Sequence, residues 1–252
     1  MNVRSEIMHF RKERARELEI LSGVLEKSFD NGISTPLYNA IHQLKNSNFI
    51  LPFKDGSVDP DTWGYEIEDF SFKPDIPRHV KPKVTELLVT LNMKVIANCS
   101  DWENMDDPLR ELSFKVTIRG LGDRNFYSGF HIDRHNGAVN QQGEIHPIYH
   151  LQHLVNPNEE DNFQFGSVLA LDTPRVMHYP MEFVLGLGYL TANFFPIAYE
   201  SLLDNGFYYK LFKDYQDKLW KPYSHTLANY WKPFEEDSIT WQPDLLCPFL
   251  QF

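Results

Sequence analysis

The chain is poor in cysteine, with only Cys99 and Cys247. Two thiols cannot build a disulfide framework, and their separation fits neither a zinc finger nor a redox motif, so a reducing, cytoplasmic setting is expected. Long apolar runs are missing too. The best candidate, residues 181–197, is interrupted by Glu182, two glycines, Asn193 and Pro196, whereas a bilayer span needs roughly 18 or more apolar residues. The opening MNVRSEIMHFRKERARELEI repeats its charges too often for the apolar centre of a signal peptide. No membrane role is expected. Basic residues are outnumbered by acidic ones, 24 to 35, for a net charge of -11. Such a surface does not coat nucleic acid, which requires many Lys and Arg against phosphate, although a local basic site stays open. Also missing are a Gly-rich phosphate loop, a nucleophile elbow, a cysteine-based dyad and the His-Glu-x-x-His helix of metalloproteases.

What is present is enough to fold. Hydrophobic residues make up 42% and charged residues 23%, far from the low-hydrophobicity, high-charge balance of a disordered chain. A chain of 252 residues can bury a substantial core without staples. The pattern predicts an α+β fold, with a small, mostly antiparallel sheet between an N-terminal helical segment and C-terminal aromatic-rich helices. The expected parts are residues 1–50, helical; 51–180, irregular and then mainly β with histidine-rich loops; and 181–252, helical. Together they are expected to form one compact unit.

The apolar stripe Ile7, Phe10, Leu18, Leu21, Val24 and Leu25 predicts a helix over 4–28. Its basic residues Arg4, Arg11, Lys12 and Arg14 read as a solvated or subunit-facing half. A second helix is expected after Ser34-Thr35-Pro36, with Leu37, Ile41 and Leu44 inward. Scattered prolines make residues 51–83 read as irregular chain that packs through Trp63, Tyr65, Phe70 and Phe72. Strands are expected at 84–97, 112–119 and 125–133, with a turn at Gly120 to Asp123 between the last two. A further strand is expected at 163–171, and a buried helix at 181–195. Phe207, Tyr208, Leu211, Phe212, Tyr215, Leu219 and Trp220 then form a helical stripe, which breaks near Pro222 and resumes up to Pro233.

One stretch stands out chemically. Six of the ten histidines lie between positions 131 and 178: His131, His135, His146, His150, His153 and His178. Alternation along the strand at 125–133 places Phe126, Phe130 and Ile132 on one face, with Tyr127, Gly129, His131 and Asp133 on the other. An imidazole and a carboxylate on one face can share a divalent ion, or the carboxylate can orient the imidazole for proton transfer. Residues 146–155 admit two readings. As a helix they gather His146, His150 and His153 on one face; as a strand they turn His153 away from the other two. Arg175 suits an anionic substrate group, and His178 can complete a site with His131 and Asp133.

The His131-x-Asp133 pair followed by His178 is similar to the two-histidine, one-carboxylate set of non-haem iron oxygenases. Those enzymes resemble a double-sheet barrel, from which the long apolar helix after His178 departs. The metal reading expects zinc or iron held by His131, Asp133, His150 and His178, with His131, Asp133, His150 and Arg175 as the catalytic group. A metal-free variant makes His131 and His150 the acid and base. The leading expectation is instead a noncatalytic subunit or adaptor, which meets a protein partner or another copy of itself through an aromatic-rich helical surface.

Overall fold

The computed structural model describes residues 5–29, 35–76, 78, 80–99, 107–122, 125–135, 147–154 and 175–229. The chain begins with α1 (Ser5–Ser28), whose inward face buries Ile7, Ala15, Leu18, Leu21, Val24 and Leu25. Helix α2 (Thr35–Lys45) carries Pro36 in its first turn and buries Leu37, Ala40, Ile41 and Leu44. Two of the basic residues of α1 do not face solvent. Arg11 is buried and donates from Nη2 to the carbonyl oxygens of Gln43 at 2.6 Å and Asn46 at 3.3 Å. It thereby supplies partners to carbonyls that the end of α2 leaves without helical ones.

Among the described residues six strands follow, β1 (Thr62–Phe72), β2 (Glu86–Asn98), β3 (Leu109–Leu121), β4 (Phe126–Arg134), β5 (Tyr149–His153) and β6 (Val176–Met177). They form one sheet in sequence order, with antiparallel neighbours throughout. The fold class is α+β. Strand β1 corrects the expectation of irregular chain over 51–83. Its Trp63, Tyr65 and Ile67 send large apolar side chains into the core at every second position, and Thr62 before them and Gly64 between them are buried as well. The phase then slips where the register to β2 shifts between Ile67 and Phe70, with Asp69 at φ 55. This bulge brings Phe70 and Phe72 back to the core and hides the alternation from a simple scan.

The apolar face of the sheet, with Leu91, Val95, Phe114, Val116 and Ile132 buried, packs against α3 (Phe183–Phe194). The contact is close because α3 has glycines where it meets rings. A Cβ on Gly186 would lie 2.2 Å from Phe114 Cε2, and one on Gly188 would lie 2.5 Å from Phe212 Cε2.

Helices α4 (Pro196–Asp204) and α5 (Gly206–Tyr215) come next, the first of them absent from the expected elements. Asn205 separates them and caps α5, its Oδ1 accepting from the amides of Phe207 at 3.2 Å and Tyr208 at 3.1 Å. The expected break near Pro222 takes another form. Residues Gln216–Trp220 make one wide π-helical turn that runs on into α6 (Lys221–Asn229). Proline lacks the amide that an α-helix requires in its interior, and a π-turn is one way to absorb such a defect without ending the helix. Along this path Tyr208, Leu211, Tyr215, Leu219 and Tyr223 point inward. One buried cluster joins them to α1, α2, α3 and β1 to β5. The strand expected at 163–171 and the helix end before Pro233 lie outside the described residues, as does Cys247.

Candidate functional site

Residues 149–153 form β5, which settles the two readings of the histidine-rich turn in favour of the strand. His146 lies outside the described residues. The ladder between β4 and β5 pairs Asp133 with His150 and His131 with Gln152. Directly paired residues point to the same side of a sheet, so these four share one face. It is the face opposite α3, because Ile132 and Leu151 pair on the other side. The next ladder pairs His150 with Met177 and Leu151 with Val176. Continued by one position, that register puts Arg175 across from Gln152, on the same polar side.

The geometry is tight at its centre. The rings of His131 and His150 meet edge to face with centroids 5.8 Å apart. His131 Nε2 lies 3.8 Å from Asp133 Oδ2. Burial pushes the Asp133 carboxyl above the usual carboxylate range, opposed first by the attraction of His131 and then by the Ser113 hydroxyl. His150 and Gln152 are buried, whereas His131 and Arg175 are half-buried. The group is therefore a carboxyl held next to two imidazoles, with an amide and a guanidinium on the same side. It has the parts for proton exchange and for holding an anion.

His178 does not join them. It follows Met177 by one residue, so strand alternation turns it to the α3 face. There its amide donates to Tyr149 O at 3.0 Å and its ring lies 5.7 Å from that of Tyr189. Burial lowers its pKa. The sheet thus separates His178 from His131, Asp133 and His150, and the expected four-residue metal set is split. Among the described residues, no group of three His, Cys, Asp or Glu side chains is placed to hold a metal ion. His153 also parts from His150, being an odd number of positions away on the same strand.

Two features escaped the sequence reading. Gln152 is drawn onto the polar face by the alternation that places His150 there. Glu182, which in the sequence only interrupts an apolar run, is 1% exposed and caps α3. Its Oε2 accepts from the Val184 amide at 2.8 Å, and its Oε1 accepts from the Tyr65 hydroxyl. Burial raises its pKa to about 7. Close by, Arg14 pairs with Glu17 at 2.7 Å and donates to Tyr215 Oη at 3.1 Å. An acid alone in an apolar segment at a helix start is the signal that would have marked it.

No family model, curated protein or solved structure matches the chain. Among the described residues, no helix is long and apolar enough to cross a membrane.

Proposed function

We propose that the chain is a noncatalytic subunit that assembles with a protein partner, which for the purified chain is a second copy of itself. The observation that carries this reading is the stretch from Val176 to Tyr179. Val176 is 59% exposed, Met177 36% and Tyr179 44%. Large apolar side chains scattered singly over a surface need no explanation, but here Val176 on the α3 side of β6 and Met177 on its polar side, with Tyr179 just beyond, leave an apolar patch along the edge of the described sheet.

The patch continues onto the aromatic helices. The Tyr179 ring lies 5.4 Å from Trp220 and 5.4 Å from Tyr223. Trp220 is half-buried and anchored by its indole N–H, which donates to Pro180 O at 2.7 Å. Fixed Tyr and Trp side chains with one open face are the residues that contribute most where proteins meet. Ile197 on α4 and Tyr209 on α5 are exposed as well. The helical surface offered to a partner is thus these few side chains, since most of the aromatic stripe is core. Sedimentation equilibrium tests the reading. The chain is expected to associate, and Val176→Glu combined with Tyr179→Ser is expected to leave it monomeric. A wild-type monomer at all concentrations, or an oligomer indifferent to both changes, contradicts it.

A second reading rests on a separate observation, the gathering of His131, Asp133, His150, Gln152 and Arg175 on one sheet face. It assigns metal-free acid–base chemistry to His131 and His150, with Arg175 holding an anionic group. Proton NMR titration of the two imidazoles tests it, because groups that exchange protons in turnover titrate near neutrality. Two imidazoles that keep one protonation state from pH 5 to pH 9 would count against it.

A further inference from the structure

A cleft of about 530 Å³ opens at one end of the sheet, next to the Asp133 carboxyl, which the Lys54 ammonium attracts, and Phe53, Lys54, Arg110, Arg134, His135 and Ile148 lie along it. That volume falls in the range of small-molecule sites, about 300–1,000 Å³. Four of these side chains are basic or can become so, in a protein whose net charge is -11.

Two carboxylates, Asp55 and Glu111, line the cleft as well, and with Asp107 beside it they are hydrogen-bonded within the protein. Asp55 Oδ1 accepts from the Ser57 amide at 2.9 Å and from its hydroxyl at 2.6 Å. Glu111 meets Lys94 Nζ at 2.7 Å and accepts from the Lys54 amide at 2.7 Å. Asp107 holds Arg134 Nε at 3.0 Å and accepts from the Tyr149 hydroxyl at 2.7 Å. Lys54 and Arg110 differ. Among the described residues neither is in an ion pair, and the hydrogen bond that Arg110 makes is to the neutral Asn98 carboxamide at 3.2 Å.

The frame is firm. The turn carrying Lys54 is closed by Phe53 N to Ser57 O at 2.8 Å and Gly56 N to Phe53 O at 2.9 Å, with Gly56 at φ 82. Such a positive φ favours glycine. On the opposite side, Arg134 Nη1 donates to Arg110 O at 3.4 Å and the His135 amide to Ile148 O at 2.7 Å. Phe53 and Ile148 add apolar surface between the cations.

We infer that this cleft binds a small organic phosphate with an aromatic ring, its phosphate between Lys54 and Arg110 and its ring against Phe53 and Ile148. A guanidinium and an ammonium suit a phosphate dianion, and an aromatic side chain suits a flat ring. The probe is adenosine monophosphate, with inorganic phosphate and adenosine as its two halves, followed by calorimetric titration. Saturable binding is expected, at least about tenfold tighter than either half, and weakened about tenfold or more by Lys54→Ala or Arg110→Ala. Both side chains are exposed, so the variants should keep the wild-type melting temperature. Absence of binding at millimolar adenosine monophosphate, equal binding of inorganic phosphate alone, or unchanged affinity in both folded variants would overturn the inference. None of these outcomes depends on self-association.

Discussion

Asp133 and His150 face each other across the β4–β5 ladder, and the His131 ring closes over the same side at 5.8 Å from that of His150. The register thus joins residues that are 17 positions apart in sequence (150 − 133). Since attraction from His131 opposes the upward push of burial on the Asp133 carboxyl, His131→Ala should raise the Asp133 pKa further. Carboxyl-carbon NMR titration measures it. A fall would contradict the arrangement.

Glu182 makes stability depend on pH. Its folded pKa of about 7 stands above the ordinary 4.5, with burial as the main cause, so the folded state holds its proton more tightly than the unfolded state. The associated stabilisation is complete below pH 4.5 and is lost as the pH rises through 7. Facing groups include Tyr65, Arg14, Glu17 and Tyr215; burial raises the Glu17 pKa as well. Urea unfolding across that window should therefore show stability falling with pH, and Glu182→Gln should flatten the slope. Glu182→Ala, which leaves the buried Tyr65 hydroxyl without its acceptor, should cost about 1–3 kcal/mol.

Gly186→Ala forces its new Cβ toward the Phe114 ring at 2.2 Å. Overpacking of a filled core typically costs about 1–3 kcal/mol, partly offset here by the better helix propensity of alanine. Phe114→Leu in the same chain should recover part of the loss, giving a favourable coupling in a double-mutant cycle. Additive effects would show that helix and sheet do not meet there.

His131→Ala should leave the response of the melting temperature to added zinc unchanged, because His178 sits across the sheet from His131, Asp133 and His150 and, among the described residues, no three-donor group is placed to hold a metal ion. Anything that binds the folded state alone raises its apparent stability in proportion to occupancy. A rise in melting temperature with one equivalent of zinc, abolished by His131→Ala, would restore the metal reading.

The helices were legible where their apolar period was long, as in α1 and α3, and so was the class of the fold. Strand β1 was not, because its bulge at Asp69 breaks the alternation and prolines on both sides suggest loop. The polar pair of His131 and Asp133 could be read from alternation within one strand. Their meeting with His150 could not, since register between strands is set by pairings that no single-strand pattern contains. The same limit misplaced His178. Its distance in sequence said nothing about the face it would occupy, and a shift of one position along β6 decides it. The buried Arg11 and Arg14 looked like solvent-facing charge because their partners lie on α2 and α5, remote in the chain.

Assembly through residues 176–179 is the central claim, and concentration-dependent hydrogen exchange of the amides of residues 175–179 and of Met181 tests it most directly. The account predicts that protection of these amides grows as the protein is concentrated and vanishes in the chain carrying Val176→Glu and Tyr179→Ser. Exchange in this stretch that is the same at every concentration, while amides elsewhere on the surface gain protection, would contradict it.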